Sequence, residues 1–425
     1  MIDRLHGYYH QEKETMSKKK RESYLEERLA EIFRYGYRRS TAIRSRFEAV
    51  GVKPQGIKRL KDLEKLPITK KMDLVASQKE NPPFGGFEIV PKKGMRRIYI
   101  SPGPVFEPGE GDYRDLRWVQ ALYACGMRKG DVVLNTFNYH LTPLAFMLDD
   151  ALQMLGTTVV PIGPGNISMQ INLLRQLHVT GFLGTPSFLM AITEAAEGMH
   201  LDLRKDFHLK AAFVGAEMFP ESLRQKLEEK LDIPIRQVYG TVDVGCLGYE
   251  CPEKNGMHIP EDVIVEIVDT DTGKQLVTGA TGEIVATTFS RIFPMLRFAT
   301  GDLSYLIEDP CPCGRTSIRL GKILGRTDQV TKVWGIFIHP WQADEVMAKF
   351  PIVARYQVVV TRREYRDEMK IYIELKEEAA DKINLKREVE KEVQEILKVK
   401  GEVEFVQRGS IPDRAKKIDD RRIWE

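Results

Sequence analysis

The spacing of apolar residues changes along the chain. In the first ninety residues they recur mainly at helical intervals, which predicts a helix over residues 17–50. Residues 58–74 predict a short helix, a turn marked by proline, and the start of a second helix that Thr69 would cap. The amino-terminal part, residues 1–90, is therefore expected to be helical.

From about residue 98, short apolar runs alternate with amphipathic helical patterns such as 142–155 and 220–231. The runs predict strands, because they are short and bounded by turn residues. The candidate strands are residues 98–100, 132–135, 157–161, 181–184, 211–215 and 235–239. This alternation is typical of a layered α/β domain with a mostly parallel sheet.

The pattern changes again at residues 259–308, which alternate as β-strands do. Within them, 263–269 and 282–288 flank a turn-rich stretch and predict a hairpin. A boundary follows near residues 323–328. Beyond it, a strand pair, a charged helix over 381–398 and a strand over 402–406 predict a small α+β module.

Composition excludes several classes of protein. The chain has 425 residues, with 64 Lys and Arg, 61 Asp and Glu, and a net charge of +3, so a dedicated nucleic-acid binder is not expected. Residues 151–174 form the longest uncharged run, but their Gly, Pro, Asn and Gln residues do not suit a membrane-spanning helix. No secretory signal is visible. We therefore expect a cytoplasmic protein without a membrane partner.

Four segments together suggest a function: VGAEMFP (214–220), VYGTVDVG (238–245), LRFATGDL (296–303) and ILGRTDQV (323–330). Each alone is an ordinary strand and turn. In this order, with GEIVATT, CPCGR and the tail GSIPDRAKKIDDRR, the sequence resembles the adenylate-forming superfamily and, within it, the phenylacetate–coenzyme A ligase family. The resemblance covers nearly the whole chain and is much less specific for the substrate than for the family.

The resemblance implies an α/β fold with a large multi-layer N-terminal adenylate-forming domain, residues 1–325, and a small α+β lid, residues 326–425, with its hinge near Asp328. It implies a two-step reaction in which an aromatic or related organic acid attacks ATP and coenzyme A then displaces AMP. Magnesium would accompany ATP. The partners are thus a small carboxylic acid, ATP and coenzyme A, and a homodimer is left open.

The resemblance also assigns residues to the nucleotide: Gly215, Ala216, Glu217, Tyr239, Gly240, Thr241, Asp243, Asp302 and Arg326. The Tyr239 ring would stack on the purine, and Asp302 would accept hydrogen bonds from both ribose hydroxyls. Asp243 stands where the family has a glutamate that holds magnesium, and a shorter carboxylate can also bind a hard cation.

Two departures from the family pattern keep alternatives open. The loop that cradles the ATP phosphates corresponds to SPGPVFEPGEGD (101–112), where prolines lack amide donors and acidic residues repel phosphate. The catalytic lysine corresponds to Lys417 when counted from Pro412 and to Arg414 when counted back from the tail. The alternatives are a homologue that binds AMP or an acyl thioester without adenylating, and an enzyme that passes its acyl group to another acceptor.

Five cysteines are too few, and an odd number, for a disulfide framework. Cys251 and His258 lie seven residues apart, and Cys311 and Cys313 form a Cys-x-Cys turn. Three thiolates and an imidazole make a closed set of the kind that holds structural zinc, although the spacing is not a standard zinc-finger pattern. The alternative is two unrelated pairs of loop residues. Some members of the resembled family carry zinc here.

The pocket for the acid is poorly specified by the sequence. By resemblance it lies between residues 135–143, residues 160–166 and the strand end at 213–217. Aromatic residues could line it or could belong to the ordinary core: Phe137, Tyr139, Phe213 and Phe219.

Overall fold

The structure, a computed structural model, describes residues 3–101, 103–109, 115–327, 331–338, 340–364, 366–377, 381–412 and 415–423. The chain forms two compact units, Met1–Gly325 and Arg326–Glu425. Among these described residues, no helix is both long enough and apolar enough to span a bilayer.

The helices of the first unit surround its sheets. They are α1 (Gln11–Glu14), α2 (Lys18–Arg39), α3 (Thr41–Ala49), α4 (Lys71–Glu80), α5 (Leu116–Ala124), α6 (Leu144–Leu155), α7 (Ile167–Gln176), α8 (Pro186–Gly198), α9 (Leu203–Asp206) and α10 (Glu221–Leu231). Short 3-10 turns cover Pro54–Gly56, Leu60–Lys65 and Lys92–Gly94.

The single helix predicted over residues 17–50 is wrong, because the chain breaks between α2 and α3. Ser40 is extended there, with φ −102° and ψ 126°. Its hydroxyl accepts a hydrogen bond from the Ile43 amide at 3.2 Å and donates one to the Gly86 carbonyl at 2.6 Å. Ser40 is therefore the N-cap of a new helix, a role in which serine is strongly favoured.

Thr69 does not cap α4 as expected. Its hydroxyl donates to the Leu296 carbonyl at 2.8 Å, and its backbone bridges to Phe298. The Asp73 carboxylate instead accepts from the Lys70 amide at 2.9 Å and satisfies the start of the helix. The Thr69 hydroxyl, which the sequence predicts as a helix cap, is therefore used in a tertiary hydrogen bond instead.

The strands of the first unit are β1 (Arg97–Ser101), β2 (Val105–Gly109), β3 (Val132–Asn135), β4 (Thr158–Val160), β5 (Gly181–Gly184), β6 (Ala211–Val214), β7 (Ile235–Thr241), β8 (Gly245–Glu250), β9 (Met257–His258), β10 (Val263–Val268), β11 (Gly282–Thr288), β12 (Phe298–Ser304), β13 (Leu306–Ile307) and β14 (Arg319–Leu320). The short strand β15 (Gly325–Arg326) spans the boundary between the units.

A nine-stranded sheet forms the centre of this unit, in the order β13-β14-β9-β8-β7-β6-β5-β3-β4. The pairs from β4 through β7 are parallel, and the remaining pairs are antiparallel. Every residue of β5 and β6 is buried, as expected for parallel strands covered on both faces. The core between this sheet and helices α5 and α6 includes Trp118, Leu122, Leu148, Leu152 and Phe213. The predicted α/β architecture is confirmed.

A second sheet contains the neighbouring strands β10, β11 and β12. The predicted hairpin is confirmed, since Val263 pairs with Thr288 and Val268 with Glu283 in antiparallel register. Strand β12 follows in antiparallel pairing with β11 and carries Asp302.

The segment 101–112 differs from the expected loop. Residues 105–109 form strand β2, which pairs with β1 up to Ser101 and Val105 and leaves only three residues for the turn. The predicted strand at 98–100 therefore belongs to a separate two-stranded hairpin and not to the central sheet. Of the loop glycines, Gly103 and Gly109 are described, whereas Gly111, Glu110 and Asp112 lie outside the described residues.

The second unit has its own sheet and core. Its elements are β16 (Thr331–Val333), β17 (Ile336–Ile338), α11 (Pro340–Ala348), β18 (Val353–Arg363), β19 (Arg366–Leu375), α12 (Lys382–Leu397), β20 (Glu402–Val406) and β21 (Ile418–Asp420). The sheet order is β20-β19-β18-β21, with a central antiparallel pair and parallel outer pairs. Buried Val346, Val358, Ile371, Val389 and Val393 fill the space between sheet and helices. This is the expected α+β module.

Candidate functional site

The segment after β6 makes a strained turn at the carboxyl edge of the central sheet. Ala216 has a positive φ of 67°, which non-glycine residues rarely adopt. A side chain on Gly215 would lie 2.9 Å from the Val238 side chain, so only glycine fits against β7. The Glu217 carboxylate accepts from the Ser187 amide at 2.6 Å and from its hydroxyl at 3.0 Å, at the start of α8. The edge is thereby held in one conformation.

Tyr239, Gly240 and Thr241 end strand β7 at the same edge, beside a shift in its register with β8. A side chain on Gly240 would lie 2.5 Å from the Gly245 carbonyl, which explains glycine at this position. In parallel sheets, ligands bind at the carboxyl ends of the strands. Gly215–Glu217 and Tyr239–Thr241 follow neighbouring strands, so the structure brings these two predicted segments together.

Asp302 joins the same group from the second sheet. The Tyr239 hydroxyl donates to Asp302 Oδ2 at 2.8 Å and lies 3.2 Å from the Thr300 hydroxyl. The Thr300 hydroxyl donates to the Ile284 carbonyl at 3.0 Å, and the Gly301 amide donates to Glu283 at 3.1 Å. These bonds fix the Asp302 carboxylate beside the aromatic ring.

Asp243 lies in the turn between β7 and β8, next to a lysine that the sequence analysis did not assign. The Lys71 ammonium is 2.8 Å from Asp243 Oδ1 and donates to the Ser101 hydroxyl at 3.1 Å. Asp243 Oδ1 forms an ion pair here but no aligned hydrogen bond within the described part of the chain. Lys71 thus connects three elements: α4, the β1–β2 hairpin and the Asp243 turn.

Glu107 is the second acidic group of this cluster. It is 6% exposed, and its Oε1 has no hydrogen-bond partner among the described residues. Burial, and then the neighbouring Asp243 carboxylate, raise the pKa of Glu107 to about 8, while Lys71 opposes the rise. Near neutral pH this carboxyl is therefore largely protonated.

Arg117 holds the turn that carries Asp243. Its guanidinium donates to the Val244 carbonyl at 2.8 Å and to the Cys246 carbonyl at 3.2 Å, while Asp115 binds its other face. Gly245 has a φ of 73°, and a side chain there would meet Arg117 and Asp115 within 3 Å. No sequence motif identifies Arg117, because the carbonyls that it binds lie far along the chain.

Cys251, His258, Cys311 and Cys313 come together in one group whose ligand atoms all lie within 4.8 Å of one another. The sulfurs of Cys251 and Cys311 are 3.6 Å apart, and Cys313 Sγ is 3.4 Å from His258 Nε2. Two sulfurs of a tetrahedral zinc site, each about 2.3 Å from the ion, are about 3.8 Å apart. The donor set and its spacing therefore fit zinc.

The surroundings also suit a metal. His258 Nδ1 is 3.2 Å from the Ser317 hydroxyl, which leaves Nε2 facing the cysteines. Burial lowers the pKa of His258 and favours the neutral ring that binds metals. Cys246 lies in the core with Cys125, and burial raises the pKa of both thiols.

Lys417 immediately precedes strand β21 in the second unit. Its ammonium binds both oxygens of Asp344, at 2.6 and 2.7 Å. Asp344 also accepts from the Tyr356 hydroxyl at 2.6 Å. Arg414, the alternative catalytic residue, and Asp328, the expected hinge, lie outside the described residues, and Arg326 is half-buried at the start of the unit.

The aromatic residues proposed for the acid pocket differ in environment. Phe213 is fully buried against Trp118, and Phe137 and Phe219 are each 8% exposed. The Tyr139 hydroxyl accepts from the Asn135 amide at 2.8 Å and donates to Asp149 at 3.1 Å. His140 is exposed. Phe213 is therefore a core residue, whereas Tyr139 keeps a polar partner.

Comparison with known proteins places these features in a wider group. The family model for AMP-binding enzymes matches residues 116–290, and the model for the AMP-binding enzyme C-terminal domain matches residues 335–423. The chain is 34% identical to a phenylacetate–coenzyme A ligase of Thermus thermophilus, over 87% of this chain and 84% of that one. It is 30% identical to the enzyme of the same name from Escherichia coli, over 86% and 84%.

The fold is also similar to a solved structure. A crystal structure of 2-hydroxyisobutyryl-CoA ligase in complex with 2-HIB-AMP and CoA matches with a TM-score of 0.89 and 26% identity, covering 98% of this chain and 92% of that one. An amide bond synthetase from Marinactinospora thermotolerans shares the fold with a TM-score of 0.59 at 17% identity.

Proposed function

Because this chain belongs to the phenylacetate–coenzyme A ligase family of AMP-binding enzymes, we propose that it joins an organic acid to coenzyme A with ATP, through an acyl adenylate. The observation that carries the proposal is the contact between Tyr239 and Asp302 at the carboxyl edge of the sheet. It pairs an aromatic surface for a purine with a two-oxygen acceptor for a ribose.

The nucleotide binds to the cluster of unit 1 in this proposal. Gly215, Ala216 and Glu217 pack beside the adenine, whose face stacks on Tyr239. Asp302 accepts the ribose hydroxyls, and Gly240 and Thr241 approach the α-phosphate. Arg326 contacts the nucleotide from the first position of the second unit. The rigid turn at Ala216 supports this arrangement, because a preorganised site loses less entropy on binding.

The reaction then proceeds in two displacements. A carboxylate oxygen of the acid attacks the α-phosphorus, forming a C–O–P bond as pyrophosphate leaves. The coenzyme A thiol loses its proton and attacks the acyl carbon, and AMP leaves with the electrons of the C–O bond. Each step moves negative charge toward a phosphate, so fixed positive charge lowers its barrier.

Magnesium fits the oxygen donors of this cluster. Asp243 would hold it, since hard cations prefer carboxylate oxygens, and Glu107 would join as a second ligand after losing the proton that its burial favours. When bound, the ion would neutralise charge on the phosphates. The Lys71 ammonium, now paired with Asp243, would have to move aside.

Lys417 is the residue that we assign to the first step, with the second unit acting as a lid. The Lys417 ammonium pairs with Asp344 of helix α11. Its positive charge therefore lies on the same side of the unit's sheet as α11. If Arg414 fulfils the role instead, the contact of Lys417 with Asp344 is structural. Zinc, held by Cys251, His258, Cys311 and Cys313, would be structural, because four protein ligands leave no open position.

We further propose that the acid is aromatic or closely related and that the enzyme acts in the cytoplasm. The relatives named above are phenylacetate ligases, and Tyr139 and Phe137 supply aromatic surface near the ends of the parallel strands. Unpaired cysteines fit a reducing compartment.

One observation favours a second candidate function, binding of AMP or an acyl thioester without adenylation. The β1–β2 turn of three residues leaves little backbone for cradling phosphates, and it contains no lysine or arginine. The residues that we propose to contact the adenosine lie outside this hairpin.

The two functions differ in their products. The protein should be incubated with ATP, magnesium, coenzyme A and a panel of aromatic and aliphatic acids, and the products weighed by mass spectrometry. The ligase yields one acyl-CoA for each AMP. Acyl adenylate without thioester indicates another acceptor, and neither product with any acid, despite AMP binding, indicates the binding protein.

A further inference from the structure

The phosphate site needs a cation that the turn of the β1–β2 hairpin does not supply, since Arg97, at the start of β1, pairs with Asp150. Between Arg97 and Arg114 the sequence contains no lysine or arginine. The resembled family places a lysine in this segment, beside the ATP phosphates. Because a triphosphate brings several negative charges, its binding in a partly buried site requires positive charge close by. The missing charge must come from another element.

Lys71 reaches the turn of this hairpin from helix α4. Its ammonium donates to the hydroxyl of Ser101, the last residue of β1, at 3.1 Å. Its side-chain carbon Cε lies 3.1 Å from the point where a side chain on Gly103 would begin. The positive charge is therefore at the turn, although the turn itself carries none.

Helix α4 is fixed in the orientation that places Lys71 there. The Gln78 side chain donates to the Phe106 carbonyl at 2.9 Å and accepts from the Phe106 amide at 2.8 Å. Gln78 thus binds the edge of β2 as a further strand would. Two turns earlier in the helix, Lys71 lies beside the start of the hairpin.

The ion pair with Asp243 holds the Lys71 charge beside this turn. The Asp243 side chain is 7% exposed and the Lys71 side chain 27% exposed, so the lysine side chain is the more accessible of the two. If Asp243 held a divalent cation, the Lys71 ammonium would be released from the ion pair and would lie next to the incoming phosphates.

From this geometry we infer that Lys71 binds the β- and γ-phosphates of ATP, and the departing pyrophosphate, in place of a lysine in the hairpin. The inference rests on the proposed ligase function. It assigns to helix α4 a role in binding that neither the sequence motifs nor the hairpin reveals. Its structural alternative is that Lys71 only ties the Asp243 turn to the hairpin.

The test compares two nucleotides that differ only in those phosphates. Affinities for AMP and for ATP with magnesium are measured by calorimetry, without acid, in wild type, Lys71→Ala, Lys71→Arg and Lys79→Ala. We expect Lys71→Ala to weaken ATP binding about ten- to a hundredfold, as loss of charged hydrogen bonds does, with AMP affinity within twofold of wild type. Lys71→Arg should retain most ATP affinity. Exposed Lys79, on the same helix, should have no effect.

Each other outcome is decisive. Wild-type affinity for both nucleotides in Lys71→Ala overturns the inference and leaves the ligase function standing. Equal losses for both nucleotides assign Lys71 the structural role and overturn it too. Wild-type protein that binds AMP but not ATP overturns the proposed function, and the role of Lys71 with it.

Discussion

The Tyr239 hydroxyl donates a hydrogen bond to Asp302 Oδ2 at 2.8 Å, and this bond joins two sheets of the first unit. Tyr239 ends a strand of the central sheet, whereas Asp302 belongs to the sheet that contains β10 and β11. The ring that would stack on a purine and the carboxylate that would bind its ribose are therefore positioned by each other. Substitution of either residue should therefore lower the affinity for the nucleotide.

Replacing Asp302 tests the ribose contact. Asp302→Ala should lose two charge-assisted hydrogen bonds and weaken AMP binding by about 2–4 kcal/mol. Tyr239→Phe keeps the ring and removes only the hydroxyl, so it should cost about 1 kcal/mol. Calorimetry with AMP measures both. Wild-type affinity in Asp302→Ala would remove this residue from the site.

The lysine of the second unit can be tested step by step. Lys417→Ala should slow formation of the acyl adenylate by on the order of a hundredfold, because a fixed positive charge stabilises the transition state. Thioester formation from supplied acyl adenylate should change little. Stopped-flow or quench measurements of each step separate the two effects.

Lys416→Ala is the matched control, since the Lys416 side chain is exposed and its backbone carbonyl accepts from Gln357 at 3.0 Å. It should retain wild-type rates in both steps. If Arg414→Ala gives the larger defect in adenylation, the count from Pro412 is wrong and Arg414 is the catalytic residue.

The cysteine and histidine group should contain one zinc per chain. Elemental analysis of protein purified without added metal measures it directly. Cys313→Ser should lower both the zinc content and the Tm, because metal binding contributes to folding. Core variant Cys125→Ser should keep its zinc. A zinc content below about a tenth of an equivalent in wild type would show that the four residues are an ordinary cluster of loop side chains.

Loss of the zinc should also destabilise the N-terminal segment. The Tyr8 hydroxyl donates to the Cys313 carbonyl at 3.0 Å, and Arg315, two residues later, pairs with buried Glu14 at 2.8 Å. If the turn that carries Cys313 becomes disordered, Tyr8 and Glu14 lose these partners. Protease cleavage within the first twenty residues, followed with and without a chelator, measures the effect.

Glu261 should make stability depend on pH. Burial raises its pKa to about 7, although Arg21 at 3.2 Å opposes the rise and Gln120 donates to it at 3.0 Å. Because the folded state holds this proton more tightly than the unfolded chain, the free energy of unfolding should fall as pH rises from about 4.5 to 7. This difference in proton affinity corresponds to about 3 kcal/mol of unfolding free energy.

Urea unfolding of wild type and Glu261→Gln at pH 5 and pH 8 tests this sign. The variant should gain stability relative to wild type on going to pH 8. Glu12→Gln, at an exposed position, should follow wild type at both values. Parallel curves for Glu261→Gln and wild type would show that Glu261 keeps its ordinary pKa when folded.

The sequence predicted the elements whose own pattern determines them. Strand 132–135 and strand 181–184 match the structure to the residue, because each is a short buried run between turn residues. The helix over 17–50 was wrong because Ser40 is as compatible with a helix interior as with a cap until Gly86 accepts its hydroxyl.

The site was predictable where its residues lie within one continuous sequence motif, as at Gly215 and Tyr239. It was not predictable where partners come from distant segments. Lys71 lies 172 positions before Asp243, and nothing in its own helix distinguishes it from its neighbour Lys70. The segment 105–109 formed a strand despite Pro108, since edge strands tolerate proline.

Acid-dependent exchange of labelled pyrophosphate into ATP, without coenzyme A, tests the proposed function most directly. This exchange requires only the first step of the reaction. It therefore depends on the nucleotide site, the β1–β2 hairpin and the cations around them. We expect wild-type protein to catalyse exchange with at least one aromatic acid in the panel, and none without acid. Absence of exchange with every acid, in protein that binds AMP, would contradict the account and assign the chain a binding function.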